Sequence, residues 1–129
     1  MKFGYTIIYV ADVGASLAFF ENAFGLKTRF QHESGYGELE TGDTTLAFET
    51  HTLGEGNLPA GYVHADASPL PLGVEIALVT ESVSAAHERA IAAGALSLKA
   101  PIVKPWGQTV SCVRCPEGTL VELCSPIAA

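Results

Sequence analysis

The spacing of apolar and polar positions switches between two periods along the chain, and it does so twice in the same order. Tyr5 to Val10 is a run of β-branched and aromatic residues, the composition of a strand. Asp12 follows as a helix N-cap, and Leu17, Phe20 and Phe24 recur at i, i+3 and i+7, one apolar helical face that Gly25 ends. Lys27 to His32, Gly37 to Glu40 and Thr44 to Thr50 read as three strands, separated by Gly35 and by the Thr41-Gly42-Asp43 turn. Val74 to Thr80 then restarts the pattern, with Ser82 as N-cap. Val83, Ala86, Ala90 and Ala93 lie on one helical face, and Gly94 is the stop. Ala95 to Lys99, Gln108 to Val113 and Thr119 to Cys124 supply three further strands.

A shift of 70 lays Ile8 to Val13 over Leu78 to Val83, and the two stop glycines, Gly25 and Gly94, are 69 apart. The chain is therefore an internal repeat of two βαβββ modules. The predicted fold class is α+β, with the two modules forming curved mixed sheets around a cavity, because neither half buries its open sheet face alone. One domain over 1–129 is expected, with module one at about 3–52, a linker at about 53–73 and module two at about 74–126. The linker assignment rests on Pro59, Pro69, Pro71 and several glycines. Its Tyr62 and His64 are within reach of a ligand only if the fold supplies them partners.

Composition narrows the function classes. Apolar residues make up 48% and charged ones 16%, a globular balance. The net charge of −7 leaves no basic stripe to displace counterions from a phosphate backbone, which argues against nucleic acid as partner. It favours a cationic ligand instead. The apolar stretch ending at Val10 is too short and too polar for a signal peptide or a membrane span, so no membrane partner and a cytoplasmic location are expected.

Three cysteines, Cys112, Cys115 and Cys124, argue against a disulfide framework. Cys112-x-x-Cys115 leads into the turn Pro116-Glu117-Gly118, not into a helix N-terminus that would stabilise a thiolate, and no second ligand pair completes a zinc site. These read as ordinary thiols. His32 and His51 stand alone, and His87 falls at the border of a helical apolar face, where it fills space. No nucleophile elbow or phosphate-binding glycine loop is present.

Three stretches carry a resemblance. They are Asp12-Val13 with Phe19-Phe20 and Phe24-Gly25-Leu26, then Val74 to Val79, and finally Pro105-Trp106-Gly107-Gln108 followed by Arg114 to Leu123. In this order, and on a repeat, they resemble the vicinal oxygen chelate superfamily of glyoxalases, bleomycin-resistance proteins and dioxygenases, over nearly the whole chain. The resemblance implies a U-shaped cavity, a homodimer and, in metal-binding members, four inward-facing strand ligands. Those positions match Tyr5, then Ala47 or Glu49, then Glu75, then Glu122. Strand alternation independently turns Glu75 and Glu122 away from the helix-facing Ile76, Leu78, Val121 and Leu123.

No histidine falls at any of the four positions, and a phenol that keeps its proton is a poor ligand. The metal set is then at most Glu75, Glu122 and Glu49, an incomplete all-oxygen group that suits Mg²⁺ or Mn²⁺ better than Ni²⁺ or Zn²⁺. Without an ion, clustered carboxylates repel and at least one has a raised pKa. The leading expectation is a metal-free small-molecule-binding protein that holds a planar or cationic ligand among Tyr5, Tyr9, Trp106 and the acids. Arg114, a further ligand-binding candidate, is placed to orient an anionic group or to anchor the turn that follows it. One alternative is a divalent-metal-dependent lyase or isomerase with Glu75 and Glu122 as catalytic groups. Another is a partner-binding module with a vestigial cavity. Extradiol dioxygenase chemistry needs two histidines that the ligand positions lack.

Overall fold

The computed structural model describes residues 1–127; the expected span of 1–129 also takes in Ala128 and Ala129, which lie outside the described residues. The chain forms two units, Met1–Ala65 and a second that begins at Asp66.

The first unit runs β1 (Tyr5–Val10), α1 (Val13–Phe24), β2 (Lys27–His32), β3 (Tyr36–Glu40), β4 (Thr45–Thr50) and α2 (His51–Asn57). Its sheet has the order β1-β4-β3-β2, with β1 parallel to β4 and the remaining pairs antiparallel. The Asp12 side chain accepts a hydrogen bond from the Ala15 amide at 2.9 Å, and Gly25 closes α1 in the left-handed region at φ 71°. The apolar stripe of α1 buries Val13, Leu17 and Phe20 against β2, β3 and β4. The Phe20 ring packs 5.0 Å from that of Phe48. Close approach depends on Gly37, where an added Cβ would lie 2.6 Å from Leu17 Cδ1.

The second unit repeats the plan as β5 (Glu75–Val79), α3 (Val83–Ala93), β6 (Leu96–Val103), β7 (Thr109–Arg114) and β8 (Leu120–Cys124). Its order is β5-β8-β7-β6, again with the first pair parallel and the others antiparallel. The architecture is thus α+β with two four-stranded mixed sheets, as the repeat predicts. α3 rests on β6, β7 and β8 and buries Val83, His87 and Ala90. His87 does fill the helix–sheet space, and both its ring nitrogens are paired. Nδ1 lies 2.9 Å from Ser111 Oγ and Nε2 lies 2.9 Å from Ser97 Oγ. Ser82 occupies the N-cap position but its side chain makes no capping bond.

Two elements differ from the sequence-based expectation. α2 occupies the start of the presumed linker. It carries two glycines in seven residues and no apolar period, so propensity argues against it. Tertiary packing holds it, since Gly54 sits so close to β1 that a Cβ there would lie 2.8 Å from both Tyr9 Cδ1 and Tyr62 Oη. β6 extends past Lys99 through Pro101 to Val103, with its register shifting on the way. As an edge strand it has no need of the missing proline N–H. No helix among the described residues is long and apolar enough to cross a membrane.

Candidate functional site

Glu75 opens the edge strand β5, while Cys112 and Glu122 sit in the neighbouring central strands β7 and β8. In the antiparallel β7–β8 ladder Cys112 is the direct partner of Glu122, and in the parallel β5–β8 ladder Ala77 is. Glu75 shares the face of Ala77 because side chains two apart along a strand point the same way. Val121 and Leu123 are buried on the opposite face. The ligand-capable atoms of Glu75, Cys112 and Glu122 all lie within 4.8 Å of one another.

Glu75 is exposed, whereas Cys112 and Glu122 are half-buried. Burial pushes the Glu122 carboxyl above the ordinary carboxylate range, Glu75 adds to the rise, and Lys104 opposes it. Cys112 is raised first by burial, then by Glu75 and Glu122, with Lys99 and Lys104 pulling it back. Among the described residues neither carboxylate makes an ion pair or a side-chain hydrogen bond.

The other predicted residues are distributed differently. Glu49 is half-buried on β4, across from Tyr9 and Tyr36 in the first unit, and it is not in the group with Glu75 and Glu122. The ladders also resolve which residue matches Glu122: Ile7 pairs with Ala47 as Ala77 pairs with Glu122, so Ala47 holds that position and Glu49 does not. Tyr5 is 58% exposed at the start of β1. Tyr9 packs its ring 5.0 Å from Tyr62. Trp106 is 61% exposed in the β6–β7 turn, its indole N–H donating to Gln108 Oε1 at 2.9 Å. Arg114 directs Nη2 to the Ser68 carbonyl at 2.8 Å, Nη1 to that of Pro69 at 3.4 Å and Nε to that of Gly118 at 3.3 Å. These bonds link Arg114 to the turn at Gly118 and to the backbone at Ser68 and Pro69.

Sequence reasoning missed three features. Cys112 reads from sequence as an ordinary thiol, yet its Sγ lies in the group with Glu75 and Glu122. The signal was available, because the tight turn after Cys115 forces Arg114 opposite Leu120 and hence Cys112 opposite Glu122. Cys115 itself is buried in that turn, where burial and Glu117 hold its thiol well above the usual range. In the first unit Glu38 is held by Arg29 Nη2 at 3.0 Å and by the Tyr36 hydroxyl at 2.7 Å. The Tyr36 bond, then Arg29, draw its carboxyl below the ordinary range despite burial. His51 is not isolated: its ring stacks on His64 with centroids 3.7 Å apart and planes at 4°, and its Nδ1 lies 2.7 Å from Tyr62 Oη.

The chain matches the Glyoxalase/Bleomycin resistance protein/Dioxygenase superfamily over residues 2–123. No curated protein matches it significantly by sequence. Among solved structures it resembles a glyoxalase-related enzyme from Fulvimarina pelagi, with TM-score 0.84 and 19% identity, over 98% of this chain and 88% of that one. It is also similar to a glyoxalase/bleomycin resistance protein/dioxygenase family enzyme from Burkholderia phytofirmans PsJN, with TM-score 0.81, 21% identity and coverage of 97% and 98%. A glyoxalase/bleomycin resistance protein/dioxygenase from Nocardioides aligns with TM-score 0.75 and 20% identity, over 100% of this chain and 85% of that one. Identities at this level support the fold alone.

Proposed function

The chain belongs to the Glyoxalase/Bleomycin resistance protein/Dioxygenase superfamily, and on that premise we propose that it is a small-molecule-binding protein whose ligand carries a cationic group held by Glu75 and Glu122. The observation that carries this reading is the convergence of the two carboxylates on one sheet face with no ion-pair partner among the described residues. Burial and then Glu75 raise the proton affinity of Glu122, so a cation that neutralises the pair relieves that strain on ionisation. The net charge of −7 attracts such a ligand from a distance. The exposed Trp106 is a further apolar surface for a planar ligand, and the expected homodimer and cytoplasmic location belong to this same reading.

The four-ligand metal set of catalytic relatives does not fit these residues. The matched positions hold a phenol at Tyr5, a methyl group at Ala47 and carboxylates at Glu75 and Glu122, so two of the four offer no good donor. The lyase or isomerase reading therefore rests on the second-unit group alone.

The test is calorimetric titration of the full chain with a panel of cationic planar compounds and their uncharged analogues. A charged contact of this kind is worth about 1.5–3 kcal/mol, so Glu75→Gln with Glu122→Gln weakens cation binding by at least about tenfold and leaves the uncharged analogues unchanged. Absence of binding across the panel, or equal affinity in the double variant, overturns the reading.

A further inference from the structure

Glu49, on the first unit's sheet, has no part in the group of Glu75 and Glu122. We propose that Glu49, Tyr9 and Tyr36 form a separate site in the first unit that takes a quaternary ammonium group, carried by a small molecule with a trimethylammonium end. None of the three stands at the matched ligand positions, which are Tyr5, Ala47, Glu75 and Glu122. The site uses no residue of the second unit, so it stands or falls apart from the Glu75 and Glu122 reading.

Sheet register builds the row. β4 lies between β1 and β3, and Glu49 on it is the ladder partner of Tyr9 on one side and of Tyr36 on the other. The three side chains therefore share one face, and all three are half-buried. Cross-strand neighbours have Cβ atoms about 5 Å apart, which brings a group seated on the carboxylate within the roughly 6 Å range of a cation–π contact. Both rings are already fixed. That of Tyr9 lies 5.0 Å from Tyr62, and α2 presses on it at Gly54, where a Cβ would lie 2.8 Å from Tyr9 Cδ1. The Tyr36 hydroxyl donates to Glu38 Oε2 at 2.7 Å, Arg29 Nη2 holds Glu38 Oε1 at 3.0 Å, and the Phe30 ring stands 6.4 Å from that of Tyr36. Walls set before a ligand arrives lose little entropy on binding it.

Chemistry selects the ligand class. Glu49 makes no ion pair or side-chain hydrogen bond among the described residues, whereas Glu38 on the same sheet is bonded at both oxygens. A single carboxylate between two rings is too poor in donors for a divalent ion, which needs several oxygen or nitrogen ligands. A primary ammonium or a guanidinium brings three or more N–H groups, more than that carboxylate satisfies. A quaternary ammonium has no N–H to satisfy, its charge is spread over methyl groups, and aromatic faces attract it through their quadrupole. Burial, then the bond to Glu38, hold the Tyr36 phenol protonated, so that wall of the site stays neutral.

Choline titration of the full chain, followed by proton NMR, provides the test, with circular dichroism confirming the fold of every variant. The choline methyl resonance moves upfield on binding, as protons seated over aromatic rings must, and binding saturates at one choline per chain. The uncharged tert-butyl isostere of choline and the primary amine ethanolamine each bind at least about tenfold more weakly. Glu49→Gln weakens choline binding at least about fivefold, and so does Tyr9→Leu, while Tyr9→Phe keeps the ring and stays within about twofold of the parent. Glu75→Gln with Glu122→Gln leaves choline binding intact. No upfield shift in the folded parent chain, ethanolamine binding as tight as that of choline, or choline affinity that survives Glu49→Gln overturns the proposal. Loss of choline binding in the Glu75 and Glu122 double variant overturns it as well. The planar cationic panel reads the second-unit acids separately, so either reading can fail while the other stands.

Discussion

Opposite Ala47 the first unit's sheet places Glu38, and at the matching position opposite Glu122 the second unit's sheet places Cys112. Glu38 is enclosed by Arg29 and the Tyr36 hydroxyl, and its carboxyl is drawn down. Glu122 has Glu75 beside it and no bonded base, and its carboxyl is pushed up. The helix-facing sides differ in the converse sense. A shift of 70 sets Leu17 and Phe20 over His87 and Ala90. Leu17 lies on Gly37, and His87 bonds to Ser111 at the matching sheet position. One unit has an apolar helix contact and a neutralised Glu38; the other has a polar helix contact and an uncompensated Glu122. Sheet geometry is common to both, so the contrast lies in side chains.

The largest expected effect tests the helix side. Phe20 is fully buried against Phe48 and Phe24, so Phe20→Ala lowers stability by about 3–5 kcal/mol in urea unfolding. Its counterpart Ala90 is equally buried but offers a single methyl group, so Ala90→Gly costs only about 1 kcal/mol, most of it helix propensity. Similar losses at the two sites would dissolve this half of the comparison.

A smaller effect sharpens it. His87→Leu leaves the fully buried Ser111 hydroxyl without its partner, a cost of about 1–3 kcal/mol. Adding Ser111→Gly recreates the leucine-on-glycine contact of the first unit and recovers part of that loss. Thermal melts of the two single variants and the double variant measure the coupling, and strict additivity would mean that His87 and Ser111 do not act as a pair.

Much of this arrangement was legible before any coordinates. The repeat, the Asp12 cap and both stop glycines follow from local chemistry, and alternation alone sets Glu75 and Glu122 on the face opposite Val121 and Leu123. What escaped depended on contacts distant in sequence. α2 forms against its own propensity because Tyr9 and Tyr62 receive Gly54. The Tyr62, His51 and His64 stack joins a helix start to a loop more than ten residues on. The choice between Ala47 and Glu49 required the β1–β4 register, since both point to the same side. Cys112 was hidden by the C-x-x-C spacing, which draws attention to Cys115, whereas its ladder partner Glu122 lies on the adjacent strand.

The smallest effect is the most specific, because the two open faces predict opposite signs. Glu38 has a depressed carboxyl, so its ionisation contributes stability above the unfolded value of about 4.3, and that contribution is lost as pH falls through the lower folded value. Glu122 has a raised carboxyl, so its contribution is complete below about 4.3 and is lost as pH rises through the higher folded value. At pH 7 Glu38→Gln therefore lowers the melting temperature and Glu122→Gln raises it, each by an amount equivalent to roughly 0.5 kcal/mol given partial solvent exposure. Both differences shrink toward zero on acidification, the Glu122 one first, since the parent regains its proton there at higher pH. Melting curves from pH 7 down to 3 read both variants directly. A Glu122→Gln variant that is less stable than the parent at pH 7 would mean that a bonded cation already neutralises the second face, and the contrast between the two sheets would fail at its main point.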